Sequence, residues 1–341
     1  MSKLILSLDG GGIRGAAATQ FLAKVEKQLQ TGHNKSIRDC VDFYAGTSTG
    51  SIIALCLATT NLSMDKINEL YNYQNAQKIF SEHKGLLDFD GINAPKFEAK
   101  GKTEILKKNL GKARIKDVPA DKHVLAVTYA IEKRRPVVIK STKKDYLNLL
   151  SYQAADASSA APTYFPTKEI QLSQGQDESW LVDGGVIANN PTMCAITEAK
   201  RVWPNIPLSE MRVLSIGTGF MTRKINGPAS QRWGGLQWMT EGHIMELLSD
   251  ERIVAYQAMT IIDAGNYIRV NAKLKEQAGL PQPPDDAMDD VSKANIKRLK
   301  RLGDFWFEQY GEAAVELLLD TYEGPSLDRI DPRSGAPLIQ R

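Results

Sequence analysis

Histidine and cysteine are scarce in this chain, and its charge is nearly balanced. The three cysteines, Cys40, Cys56 and Cys194, are odd in number and lack metal-ligand spacing. With Cys56 inside an apolar helical run, they read as free thiols in a reducing compartment. The four histidines offer no conventional catalytic triad. His33 and His83 lie in polar turn regions, His123 begins a strand, and His243, the best placed of them as a base, sits in a helical stretch. A net charge of +3 over 341 residues, with basic residues spread along the chain, does not point to a DNA or RNA partner. No apolar run approaches the roughly 20 residues of a spanning helix. Leu4 to Leu8 is too short, and too soon followed by Asp9, to be a signal peptide, so a cytoplasmic location is expected.

What the chain does have is a repeated strand-turn-helix pattern, 42% hydrophobic residues and room for a sizeable core. Leu4 to Leu8 reads as a buried strand, followed by a glycine turn and an amphipathic helix from about Ala16 to Leu29. Val41 to Ala45 and Ser51 to Thr59 form a second such unit. Further strands are expected at His123 to Ile131, Pro136 to Ile139, Trp180 to Val182, Arg212 to Ile216 and Tyr267 to Val270. Lys84 to Gly101 and Leu172 to Ser179 read as surface loops. Strands alternating with helices imply an α/β fold of three layers, α/β/α, around a largely parallel sheet covered on both faces. The segment Gln277 to Asp290, rich in proline and aspartate, precedes a helical region from about Val291 to Tyr322. The expected organisation is therefore a single domain with a catalytic part over residues 1–275 and a C-terminal helical extension over 276–341.

Gly46-Thr47-Ser48-Thr49-Gly50 places a serine at a strand-to-helix turn, the position of an activated nucleophile. Gly46 and Gly50 remove Cβ atoms that would meet the neighbouring strand and helix, and the helix N-terminus directs partial positive charge at the serine. Asp9 to Gly15 (DGGGIRG) also joins a strand to a helix, and its successive N–H groups can converge on an anion. Gly10, Gly12 and Gly15 satisfy a dinucleotide pattern, but the same donors could stabilise the oxyanion of an acyl transfer. Asp183, at the end of the apolar strand Trp180 to Val182 and before Gly184 and Gly185, falls at the strand edge expected to carry Ser48. It is the candidate base. Asn190 and Pro191 suit an N-cap and a first helical position. Asp285, Asp286, Asp289 and Asp290 lack EF-hand spacing and read as caps of the following helix, so no metal is expected. Trp233 to Met239, with Ile244, Met245, Leu247 and Leu248, suits a lid or interfacial helix as well as a core stripe. Lys297 to Arg301 reads first as a solvated basic helix face.

Taken together, Asp9 to Gly15, Gly46 to Gly50 and Asp183 to Gly185 resemble, in order, the three signature blocks of patatin-like phospholipases. Ser158 to Phe165, Leu214 to Gly219 and Asp289 to Asn295 are similar to further segments of that family. The resemblance implies a Ser-Asp dyad of Ser48 and Asp183 without histidine, and oxyanion donors at Gly10, Gly11 and Gly12. It also implies a basic position at Arg14 that either steadies the glycine loop or meets a lipid phosphate. The implied reaction is hydrolysis of a membrane phospholipid ester through an acyl-enzyme, with peripheral membrane contact and no cofactor. Family members without a leader include antiviral effectors switched on by a cyclic oligonucleotide. That role stands beside a constitutive lipid-turnover esterase and a toxin delivered without a cleaved signal. A nucleotide-binding protein using Gly10 to Gly15 without hydrolysis is the alternative from another class, and a homo-oligomer is left open.

Overall fold

A computed structural model describes residues 2–82, 94–173, 175, 177–220, 224–242, 244, 247 and 250–339. His83, His243, Met245, Leu248 and most of the loop beginning at Lys84 lie outside the described residues. The strands are β1 (Lys3–Leu8), β2 (Phe43–Thr47), β3 (His123–Ala130), β4 (Arg135–Lys140), β5 (Lys168–Ile170), β6 (Ser179–Asp183), β7 (Met211–Ile216), β8 (Tyr267–Val270), β9 (Leu327–Ile330) and β10 (Pro337–Ile339). The longer helices are α1 (Gly15–His33), α2 (Thr49–Thr59), α3 (Ala99–Leu110), α4 (Ser151–Ser158), α5 (Thr192–Val202), α6 (Arg252–Ile261) and α7 (Lys293–Leu319).

Alternation along the strands divides the interior into two cores. Leu4, Leu6 and Leu8 of β1, Tyr44 of β2, Val124 and Ala126 of β3 and Leu214 of β7 face one side, where α1, α2, α4 and α7 cover them. Ile5, Phe43, Ala45, Leu125, Val127 and Val213 face the other, against Ala195, Ile196 and Ala199 of α5 and Ala258 and Met259 of α6. The result is the three-layer α/β/α arrangement expected from the pattern. Among the described residues the strands run β10-β9-β8-β7-β1-β2-β3-β6-β5, with β4 also on β3. Every link from β9 to β3 is parallel. β10, β4, β6 and β5 add antiparallel margins, so the sheet is largely parallel.

One junction in this sheet matters most. β4 occupies one edge of β3 from Leu125 to Ala130, so β2 and β6 share the other. β2 runs parallel to β3 and stops at the pair Thr47–Val127; β6 runs antiparallel to β3 and stops at the next pair, Asp183–Thr128. The two strands therefore meet head to head. This differs from the expectation that Asp183 would end one more parallel strand.

Residues 276–339 contribute to one helical layer and to the sheet. Helix α7 lies along α1, where Gly303 permits close approach: a Cβ there would fall 2.5 Å from the Ala17 carbonyl oxygen. β9 and β10 extend the sheet beyond β8. Three local expectations need correction. The N-cap of α7 is Ser292, whose hydroxyl accepts from Asn295 N–H (3.1 Å), whereas Asp285 and Asp290 cap turns before it. Lys300 does not sit on a solvated face: its ammonium turns inward to the Asn68 carbonyl (3.1 Å) and carboxamide. Ala99 to Gly101 belong to α3 rather than to a loop.

Candidate active site

Ser48 is the single residue between β2 and α2, and its backbone (φ 53°, ψ −124°) lies where L-residues are strained. The flanking glycines answer a crowding problem. A Cβ on Gly50 would lie 2.0 Å from the Leu8 carbonyl oxygen, and one on Gly46 would lie 2.3 Å from that of Gly50. The Ser48 N–H donates to the buried Ser158 hydroxyl (3.0 Å), which in turn donates to the Val127 carbonyl (2.6 Å). Helix α2 is buried nearly all round, so the elbow is held between the sheet and the surrounding helices.

The head-to-head meeting of β2 and β6 brings Asp183 to this serine. Ser48 Oγ donates to Asp183 Oδ2 at 2.5 Å, and Asp183 Oδ1 accepts the Gly185 N–H at 2.7 Å. The end of α4 braces both partners. Ser158 holds Ser48 N–H through its side chain and Gly184 N–H through its carbonyl (3.3 Å), while the Ala160 carbonyl takes Asp183 N–H (3.0 Å). Burial raises the Asp183 carboxyl from 3.8 to about 6, against the opposing pull of the Ser48 hydroxyl, the Gly185 N–H and the Lys102 ammonium. Lys102, buried beside the same cavity, donates to the carbonyls of Ser159 (2.7 Å) and Asp156 (3.1 Å) and pairs with the Asp156 carboxylate at 3.2 Å. Sequence reasoning missed Lys102 and the brace at Ser158; a lysine inside a polar helix and a serine in a small-residue run carry no local signal of burial.

The glycine loop lies against Ser48. The Gly10 N–H donates to the Asn189 carbonyl (3.0 Å) and the Ile13 N–H to that of Met288 (2.9 Å). Gly11 and Gly12 line the cavity, and their N–H groups have no acceptor among the described residues. Gly12 combines φ 58° with a Cβ position 2.2 Å from the Met288 carbonyl oxygen, so only glycine fits. Arg14 is buried and donates to the carbonyls of Gly11 (3.3 Å) and Asp286 (3.2 Å), tying the loop to the C-terminal segment. Below the loop, Arg269 pairs with Asp9 and, at 2.7 Å, with Glu251.

Beside Ser48 and Asp183 opens a mainly apolar cavity whose walls include Ile52, Leu70, Ile79, Phe80, Ile105, Leu106 and Phe165. No histidine lines it among the described residues. His123 packs between Phe43 and Trp203 at the start of β3, the end remote from Asp183. The N-terminal turn of α5 is shifted by one residue from expectation: Pro191 is the N-cap, and the Asn190 side chain accepts from Thr192 N–H (2.9 Å).

A family model for patatin-like phospholipase matches residues 6–196, the span that holds the glycine loop, Ser48 and Asp183. The chain belongs to the patatin-like phospholipase family. As a member it is a lipid acyl hydrolase. It is 29% identical over 349 residues to Patatin-like protein 2 of Oryza sativa subsp. indica, covering 89% of this chain and 84% of the rice protein. To Patatin-like protein 1 of Arabidopsis thaliana it is 29% identical over 340 residues, covering 88% and 80%. It is also similar to the crystal structure of VipD from Legionella pneumophila, with a TM-score of 0.46 at 12% identity over 89% of this chain and 67% of that one. Among the described residues no helix of this patatin-like chain is long and apolar enough to cross a membrane.

Proposed function

We propose that this lipid acyl hydrolase cleaves phospholipid esters through a dyad of Ser48 and Asp183 and an acyl-enzyme. The observation that carries the reading is the 2.5 Å hydrogen bond between Ser48 Oγ and Asp183 Oδ2 at the head of an apolar cavity. In the forward step Ser48 Oγ bonds to the ester carbonyl carbon while its proton passes to Asp183, and the carbonyl π electrons move onto oxygen. Gly11 and Gly12 carry N–H groups fit to meet that oxyanion; the Gly10 N–H is engaged by Asn189 and is not one of them. Collapse expels the lysolipid or alcohol, which takes the proton from Asp183. Water, deprotonated by the same carboxylate, then releases the fatty acid. Burial that raises Asp183 to about 6 makes it a stronger base than a solvated aspartate while leaving it ionised at neutral pH.

Arg14 acts in this reading as support for the loop, since its guanidinium meets the Gly11 and Asp286 carbonyls. Residues 276–341 form an extension of the catalytic part, 1–275, that also steadies the site through Met288 and Asp286. Contact with a lipid surface is supported by exposed apolar side chains in the segment after β7, whose C-terminal end lies on the Ser48 side of the sheet. Leu236 is 58% exposed, Ile253 72% and Tyr256 64%. The nucleotide-binding alternative fits the loop less well, because the N–H groups of Gly10 and Ile13 are already taken.

The test is mass spectrometry of fatty acids and lysolipids released from phospholipid vesicles by wild-type and Ser48→Ala protein, with and without a panel of cyclic oligonucleotides. Serine-dependent release is expected. Release only with one nucleotide makes the protein a nucleotide-gated effector; release without any makes it a constitutive hydrolase. Full release by Ser48→Ala refutes the dyad.

A further inference from the structure

The glycine loop supplies fewer open donors than its sequence suggests, because Asn189 engages Gly10 through its backbone carbonyl at 3.0 Å. The same residue lines the cavity with its side chain. A Cβ on Gly10 would lie 2.3 Å from Asn189 Oδ1 and 3.1 Å from Ser48 Cβ. A Cβ on Gly185 would lie 3.3 Å from Asn189 Oδ1 and 3.1 Å from Asp183 Oδ1. The carboxamide oxygen thus lies beside Gly10 of the loop and near Gly185, two residues after Asp183, on the wall of the cavity that Ser48 and Asp183 also line. Among the described residues it has no hydrogen-bond partner, although Gly10 and Gly185 on either side of it are hydrogen-bonded through their own N–H groups.

Its position is fixed from two directions. Thr47, the residue before Ser48, donates its hydroxyl to the Ala188 carbonyl at 2.7 Å, and the Asn190 side chain accepts from Thr192 N–H at 2.9 Å. The backbone around Asn189 is therefore tied to the elbow on one side and to the start of α5 on the other. A carboxamide carries two N–H donors, and a half-turn about its last torsion exchanges oxygen and nitrogen. An unpartnered amide carried on a fixed stretch of backbone, in the wall of the cavity that Ser48 lines, suits a developing negative charge.

We propose that the Asn189 side chain donates a hydrogen bond to the oxyanion formed when Ser48 attacks the ester, joining Gly11 and Gly12 as the third donor. The inference rests on the dyad reading, and its test separates the two. Initial rates with a p-nitrophenyl ester are measured for wild type, Asn189→Ala and Asn189→Asp, alongside thermal unfolding and labelling of Ser48 by a fluorophosphonate. The isosteric Asp variant keeps the packing if the Ala variant does not fold. The expected result is a kcat lower by roughly 10²–10³-fold for both variants, with KM within about threefold, as for loss of one oxyanion donor. A kcat within about threefold of wild type in a folded variant overturns the role of Asn189, as does a loss confined to KM. Wild-type protein that hydrolyses the ester but leaves Ser48 unlabelled, with Ser48→Ala equally active, overturns the dyad reading instead.

Discussion

Replacing Asp183 by asparagine is expected to disable the enzyme and stabilise the protein together. The carboxyl is 4% exposed, and burial moves it from 3.8 to about 6. At about 1.36 kcal/mol for each pKa unit, holding it ionised in the folded state costs roughly 3 kcal/mol. Because the folded value lies above the unfolded one, the native protein binds the proton more tightly. Stability from this group is therefore lost as pH rises from 3.8 through about 6, and the full cost is present above that. Asparagine is isosteric and uncharged. Its Oδ1 can keep the Gly185 N–H and its NH2 can donate to Ser48 Oγ, whose own proton then turns into the cavity that Ser48 lines. For 341 residues, 3 kcal/mol corresponds to a rise in Tm of roughly 4 °C at pH 8, shrinking toward zero by about pH 4. Ester hydrolysis at pH 8 should fall on the order of 10²–10⁴-fold through loss of the base. Thermal unfolding of both proteins at pH 4 and pH 8 decides the matter. Equal Tm values at pH 8, or a gap of the same size at both pH values, would refute the claim that loss of hydration governs the ionisation of Asp183.

The kcat/KM profile should lose activity as pH falls through about 6, where Asp183 takes up a proton, and stay flat above it; Lys102→Met, removing a cation that stabilises the carboxylate, should shift that limb to higher pH. Titration of initial rates from pH 4.5 to 9 checks both, and an acid limb unmoved in a folded Lys102→Met protein contradicts the second. Ser158→Ala leaves the Ser48 N–H and the Val127 carbonyl without their partner, so about 1–3 kcal/mol of stability and at least tenfold in kcat should be lost, with KM little changed. Steady-state kinetics alongside denaturant unfolding would show it. Arg269→Met removes the buried cation that Asp9 and Glu251 share and should destabilise by about 3–5 kcal/mol at neutral pH, measured by urea unfolding.

Several features were legible in the sequence because they are local. Short, nearly continuous apolar runs such as Leu4 to Leu8 mark strands buried on both faces, and the elbow around Ser48 needs two glycines at fixed offsets whatever surrounds it. Short margins were not legible. β5, β9 and β10 span three or four residues, too few for a pattern to rise above chance, and their pairing with longer neighbours makes them strands. The same holds for the inward turn of Lys300 toward Asn68, since whether a lysine on a helix meets water or a carbonyl depends on the helix beside it.

By itself the sequence determined the family, the layered α/β class and the elements that carry Ser48, Asp183 and the glycine loop, because each is set by side-chain period and turn chemistry over a handful of residues. Only the tertiary structure decided how those pieces meet. The antiparallel β6 ends one pair beyond β2 on the same edge of β3, which sets the 2.5 Å contact of the dyad. Asn189 engages Gly10, Ser158 braces Ser48, and Met288 closes the loop from more than 270 residues away, and such long-range hydrogen bonds exist only once the chain is packed.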